Sequence, residues 1–377
     1  MQARFYLDAN ATEPLRPEAR AAMLTALDAL GNPSSIHGEG RAARRVLEDA
    51  REAIAARFGG AARNLVFTAG GTEADALAIH GLAGGGRVLR GATEHPAVIA
   101  AAGAEAGVIP VDSDGVIRLE AVQAMLAEGP ALVSVMLANN ETGTLQPVAE
   151  IARLCRAAGA ALHVDAVQGA GRLPTSLADM GADAISLSGH KLGGPPGVGA
   201  LLLTRDAADR LAPLMLGGGQ ERGRRGGTHA LPNIAGFAAA ALAATAEDAS
   251  RLAPLRDAIE QAAIACGAVV IASAAPRLPN TTCLLLPGCR AESQVIALDL
   301  AGIAVSAGSA CSSGKVARSH VLEAMGLGPA AGEAIRVSLP WNATGDYVAA
   351  FAEAYRAMAE RMGRRADAGR IRPGRAA

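Results

Sequence analysis

Residues 65–74 read L-V-F-T-A-G-G-T-E-A: a short apolar, β-prone run, a Gly-Gly break, and then the opening of a helical pattern. The same order recurs as far as residue 205. Strand-like runs stand at Arg87 (R-V-L), Val108 (V-I-P-V), Leu132 (L-V-S-V-M-L), Leu162 (L-H-V), Ala184 (A-I-S-L) and Ala200 (A-L-L-L), with helical stretches between them. Strands that alternate with helices pair mostly in parallel and are covered on both faces, so the sequence predicts an α/β fold with its sheet between helices. Upstream, Arg41 to Phe58 sets Val46, Leu47, Ala50, Ile54 and Phe58 at helical spacing with charges opposite, which predicts a helix with a solvated polar face. Beyond the Ala-rich stretch that ends near residue 250 the elements become shorter. The expected partition is a large domain over 16–250 and a smaller α+β domain made of 1–15 and 251–377, ending in a frayed, Arg-rich tail from Arg361. No internal repeat is visible.

Half of the 377 residues are apolar and the formal net charge is -1, so the chain can bury a large core and has no global attraction to nucleic acid or a membrane. Aromatics are only 2%, too few for platforms on which bases stack. The N-terminus lacks a charged-then-apolar signal pattern, and the Ala-rich run Ile234 to Thr245 is too short to span a bilayer; a cytoplasmic protein is expected. Five cysteines without a C-x-x-C argue against both a disulfide framework and a compact zinc site. Cys155 falls with Val148 and Ile151 on one helical face, and Cys283 and Cys289 flank an apolar strand that runs into a turn. Cys311 differs, because S-A-G-S-A-C-S-S-G (306–314) is built of small residues that cannot pack a core. That stretch reads either as a mobile thiol or as a cysteine fallen in a linker.

Ligands of open parallel sheets bind beyond the carboxyl ends of the strands. There, A-G-G-T-E (69–73) opens a helix, and its glycines would let backbone N–H groups and the Thr72 hydroxyl approach an anion; a tight structural turn accounts for it equally. His95 follows a strand in G-A-T-E-H-P, Asn139 and Asn140 another in A-N-N-E-T-G, and Asp165 a third in H-V-D-A-V-Q, with Gln168 a turn beyond. A carboxylate at such a place caps a helix or pairs with a cation, or else faces a ring nitrogen and keeps it protonated. Lys191 follows the next strand in S-L-S-G-H-K-L-G-G and is one of only two lysines among 35 basic residues. An amine can form a Schiff base where a guanidinium cannot. Anion cup, carboxylate and lysine on successive strand ends are the parts that pyridoxal phosphate requires.

With those motifs in place, the sequence resembles the pyridoxal-phosphate cysteine desulfurases of the NifS/IscS type, within the class V aminotransferase-like group. The likeness runs in order through Y-L-D-A-N-A-T, G-N-P-S-S-I-H (31–37), F-T-A-G-G-T-E-A, T-E-H-P-A-V, A-N-N-E-T-G, H-V-D-A-V-Q, S-L-S-G-H-K, G-G-G-Q-E-R-G, L-P-N-T, S-A-G-S-A-C-S-S-G and A-I-R-V-S-L, nearly the whole chain. It implies the transferase fold of type I pyridoxal-phosphate enzymes. It further implies that Lys191 forms the Schiff base with the cofactor, Asp165 pairs with the pyridine nitrogen, His95 stacks on the ring and carries a proton, Gln168 bonds the phenolic oxygen and Asn140 lies beside it. Gly71, Thr72, Ser188 and His190 would hold the phosphate, with Thr228 reaching across from the second subunit of a homodimer. Arg336, helped by Asn32, would clamp the carboxylate of L-cysteine, and Cys311 would take its sulfur as a persulfide for a protein acceptor such as an iron–sulfur scaffold. No independent metal site is visible in the sequence, although Cys311 could ligate a cluster transiently.

The sequence departs from the family pattern at Glu13, where a second threonine is usual, at Pro196, where a lysine is common, and at Pro340-Trp341, where Gly-Arg is usual. A selenocysteine lyase or an aminotransferase of the same fold would share Lys191 and Asp165 without needing Cys311 on a long loop. A non-catalytic scaffold would not need the cofactor residues at all.

Overall fold

The computed structural model describes residues 4–129, 132–308 and 318–369. A seven-stranded sheet runs in the spatial order Leu65–Thr68, Gly199–Leu203, Ala184–Ser188, Ala161–Asp165, Leu132–Met136, Val88–Gly91, Gly107–Ile109. Every neighbouring pair is parallel except those of Gly199–Leu203, which is antiparallel to both its neighbours. The fold is therefore α/β with a mostly parallel sheet. The expected strand at Val108 is short because Pro110 has no N–H to donate to a ladder.

Both faces of the sheet are covered, and alternate residues of one strand reach opposite layers. Leu65 and Phe67 pack in one core with Leu47 and Ile54 of helix Gly38–Arg57 and Phe237 of helix Leu231–Ala243. Val66, between them, packs with Leu77 and Ala78 of helix Gly71–Ala83. Cys155 is buried with Val148 and Ile151 on helix Val148–Ala157, a small core residue.

A second, antiparallel sheet has the order Ser306–Ala307, Ala334–Ser338, Thr281–Leu285, Val269–Ile271. Phe5–Tyr6 pairs in parallel with Ile303–Ala304, and Leu7 shares a core with Leu284, Ile335, Phe351 and Tyr355. The first residues of the chain thus join elements from beyond residue 250. The final helix spans Gly345–Gly369 and so includes Arg361, where the Arg-rich tail was expected to begin; residues 370–377 of that stretch lie outside the described residues. Among the described residues no helix is long and apolar enough to cross a membrane.

Candidate active site

The carboxyl ends of Leu132–Met136, Ala161–Asp165 and Ala184–Ser188 surround a cavity of about 360 Å³ together with the start of helix Gly71–Ala83. Gly71, Thr72, Ser188 and His190 line it. His95, Asn140, Asp165, Gln168, Lys191 and Arg336 also line it. Arg336 arrives from the second sheet, in mid-strand of Ala334–Ser338, and is 4% exposed. Two glycines shape the anion turn. A Cβ on Gly71 would stand 2.9 Å from Val167 Cγ2, and one on Gly199 would meet the Leu187 carbonyl oxygen at 2.6 Å and Gly70 Cα at 2.8 Å. At Gly199 only a bare backbone lets the strand lie this close to Leu187 and the Gly70 turn, whereas at Gly71 a methyl group would require the Val167 side chain to shift.

Lys191 stands in the single helical turn Gly189–Lys191, and its Nζ donates to the carbonyl oxygens of Asn10 and Ala11. Asp165 closes its strand, and its Oδ1 accepts from the Val167 N–H at 2.9 Å. Burial raises the Asp165 carboxyl above its ordinary range, opposed by that hydrogen bond and by the nearby His95 and Lys191. His95 caps helix Pro96–Ala102, with Nδ1 accepting from the Ala97 N–H at 3.1 Å, so the neutral ring carries its proton on Nε2. Burial lowers the His95 pKa, against the opposing pull of Asp165. Burial likewise brings His190 down to about 4.

The Asn pair divides its work. Asn139 Oδ1 accepts from the Glu141 and Thr142 N–H groups and Nδ2 donates to the Thr93 carbonyl, which locks two turns together. Asn140 lines the cavity, and its carbonyl receives Asn10 Nδ2 and Arg336 Nη1, each at 3.1 Å.

Two expected residues are not brought to this cavity. Asn32 is exposed, and its Oδ1 accepts from the Ser34 N–H. Thr228 is exposed in the segment that follows Glu221, a residue anchored by a bidentate bond from Arg51. Cys311 lies outside the described residues. Conversely, Asp75 and Glu141 line the cavity without having been read from the sequence. Asp75 sits one turn inside its helix, fully buried; its Oδ1 lies 3.7 Å from His163 Nε2 and has no hydrogen-bond partner, while the carboxyl is hydrogen-bonded to Ser186. Burial pushes the Asp75 carboxyl well up, and burial brings the neighbouring His163 imidazole down to about 3. Burial among apolar helix residues was the missing signal, and it is not readable from a lone acid in T-E-A-D.

This donor set fits pyridoxal phosphate. The Gly71 turn offers the close backbone approach an anion needs, a buried carboxylate stands ready for a protonated ring nitrogen, and an amine lies in the same cavity.

The family model described as aminotransferase class-V matches residues 5–351. A cysteine desulfurase of Cereibacter sphaeroides is 44% identical over 352 residues, which cover 89% of this chain and 90% of that one. Among solved structures, a NifS-like protein from Rickettsia africae gives a TM-score of 0.88 at 33% identity, covering 95% of this chain and 99% of that one. A protein solved as SspA in complex with cysteine gives a TM-score of 0.79 at 31% identity, with 89% and 98% covered.

Proposed function

The chain belongs to the aminotransferase class-V family, and from that premise we propose that it removes sulfur from L-cysteine as a pyridoxal-phosphate cysteine desulfurase, leaving alanine and a persulfide on Cys311. The observation that carries this reading is the convergence of Lys191, Asp165, Gln168 and Arg336, from three separate segments, on one cavity.

When bound, the cofactor supplies an electron sink that makes the substrate Cα–H acidic and its Cβ–S bond cleavable. Lys191 is the amine that holds it, Asp165 keeps its ring nitrogen protonated, and Gly71, Thr72, Ser188 and His190 receive its phosphate. Arg336 takes the substrate carboxylate through a guanidinium edge. With the cofactor bound, Lys191 would accept the substrate Cα proton at Nζ, and His95 would serve as a proton carrier beside it. The Cys311 thiolate attacks the substrate sulfur: the S–S bond forms as Cβ–S breaks, and the carbon is protonated to give alanine.

The active form is a homodimer in which Thr228 serves the partner's site. In support, Thr228 is held at the surface beyond the anchored Glu221, and the exposed Ile36 and Leu216 adjoin residues of a cavity shared by Ser34 and Gly218. The persulfide passes to a protein acceptor such as an iron–sulfur scaffold, in the cytoplasm.

The test is Cys311→Ala. It should retain cofactor and lose sulfide release from cysteine; release at the parent rate would overturn the persulfide mechanism.

A further inference from the structure

A carboxamide can face a cavity with either its acceptor or its donor end, and the choice decides what it can do there. Gln168 is not free to choose. Arg172 Nη1 donates to Gln168 Oε1 at 2.6 Å and to the Gln168 carbonyl at 3.3 Å. A guanidinium has donors only, so the oxygen end must face it. The Nε2 end is thereby turned away, and one of its two hydrogens goes to the Asn10 carbonyl at 3.0 Å. The second is left for the cavity.

Arg172 is itself fixed. Its Nη2 donates to Glu13 Oε1 at 3.0 Å and to the Ala9 carbonyl at 3.3 Å. Glu13 Oε2 in turn accepts from the Trp341 N–H at 3.2 Å, and Trp341 Nε1 donates to the Pro14 carbonyl at 2.9 Å. Glu13 and Pro340-Trp341, separate departures in the sequence, are one contact in the structure. Both charged side chains of the pair are only 5% exposed, and burying such a pair is no gain in stability by itself. Its place directly behind a cavity residue gives it another use.

We propose that Arg172, held by Glu13, is a positioning residue that locks the Gln168 carboxamide with an N–H turned toward the cofactor's phenolic oxygen. This rests on the reading of Gln168 as the partner of that oxygen. The lock makes Gln168 a donor that stabilises the oxygen's negative charge, and so lowers the pH at which the bound cofactor gives up its proton.

The experiment is a pH titration of the visible absorbance of the cofactor-loaded protein. Arg172→Met should raise the midpoint by about one to two pH units, the range of one hydrogen bond to a charged group. Gln168→Leu should raise it similarly, and the double variant R172M/Q168L should go no further. Should Arg172→Met alone fail to fold, E13Q/R172M leaves no charge of the pair buried, keeps an acceptor for the Trp341 N–H, and should show the same rise. A shift in Gln168→Leu with parent-like titration of both Arg172 variants would make the pair a structural staple and overturn the proposal while leaving the Gln168 reading intact. Additive shifts in R172M/Q168L would mean that the guanidinium acts through space, which also overturns it. No shift in Gln168→Leu would sink the lock and the Gln168 reading together.

Discussion

Arg336 Nη2 donates to Asp8 Oδ1 at 2.7 Å while Nη1 donates to the Asn140 carbonyl at 3.1 Å, so the guanidinium is oriented by the segment that also carries Asn10 and Ala11. Its side chain is 5% exposed and cannot swing to solvent. A preset cation binds a carboxylate without first ordering a long side chain. Arg336→Ala should raise the KM for L-cysteine about 10- to 100-fold, the worth of a charge-assisted hydrogen bond, with a smaller change in kcat. Initial rates of sulfide release across a cysteine concentration series check this; an unchanged KM would remove Arg336 from the substrate site.

Lys191→Ala tests the cofactor attachment apart from folding. The Nζ bonds reach Asn10 and Ala11 of one short segment, and Lys191 belongs to none of the apolar cores. Borohydride reduction followed by mass spectrometry should add the cofactor mass to the parent protein and not to the variant. The circular dichroism of the two should agree.

Gly71→Ala places a methyl group 2.9 Å from Val167 Cγ2 and 3.5 Å from Ser188 Cβ, at the turn assigned to the phosphate. Helix propensity favours the alanine by up to about 1 kcal/mol, which offsets part of the crowding. Stability should therefore stay within about 1 kcal/mol of the parent. Cofactor affinity should fall about tenfold, equivalent to ~1.4 kcal/mol, measured by fluorescence titration of the apoprotein.

The parallel core of the sheet and the cavity residues on its strand ends were legible because one rule, polar groups beyond buried apolar runs, covers them all. Lys191, Asp165, Gln168 and Ser188 follow that rule. The direction of Gly199–Leu203 does not appear in its composition, yet the connection from Ser188 contains only the single turn Gly189–Lys191. A parallel return normally needs a longer, helical crossover, so that stretch did hold the clue. Asp75, Arg172 and Glu13 were illegible for another reason. Each is a charged residue whose meaning lies in its burial, and burial here comes from segments more than a hundred residues away or from across the sheet. Thr228 and Asn32 belong to surfaces that a single chain leaves exposed.

Two buried titratable groups near the cavity should tilt stability against pH in opposite directions. Glu94 is fully buried, accepts from the Met136 N–H at 3.0 Å, and is pushed by burial from 4.5 up to about 8. Between those values the folded chain holds a proton that the unfolded chain has lost, so the contribution is present below 4.5 and lost as pH rises toward 8. His163, bonded to Ser134 Oγ at 2.9 Å and Ser186 Oγ at 2.8 Å, is brought by burial from 6.5 down to about 3. There the unfolded chain binds the extra proton, so the contribution is present above 6.5 and lost as pH falls. Each effect can reach about 1.4 kcal/mol per pH unit inside its window. Relative to the parent, Glu94→Gln should gain stability as pH is raised from 5 to 8, and His163→Asn should gain as pH is lowered from 7 to 5. Urea unfolding of the cofactor-loaded proteins at pH 5, 6, 7 and 8 reads both slopes. A stability difference for Glu94→Gln that is flat across this range would show that Glu94 is ionised in the folded protein, and a flat difference for His163→Asn would show that the imidazole titrates normally despite its burial.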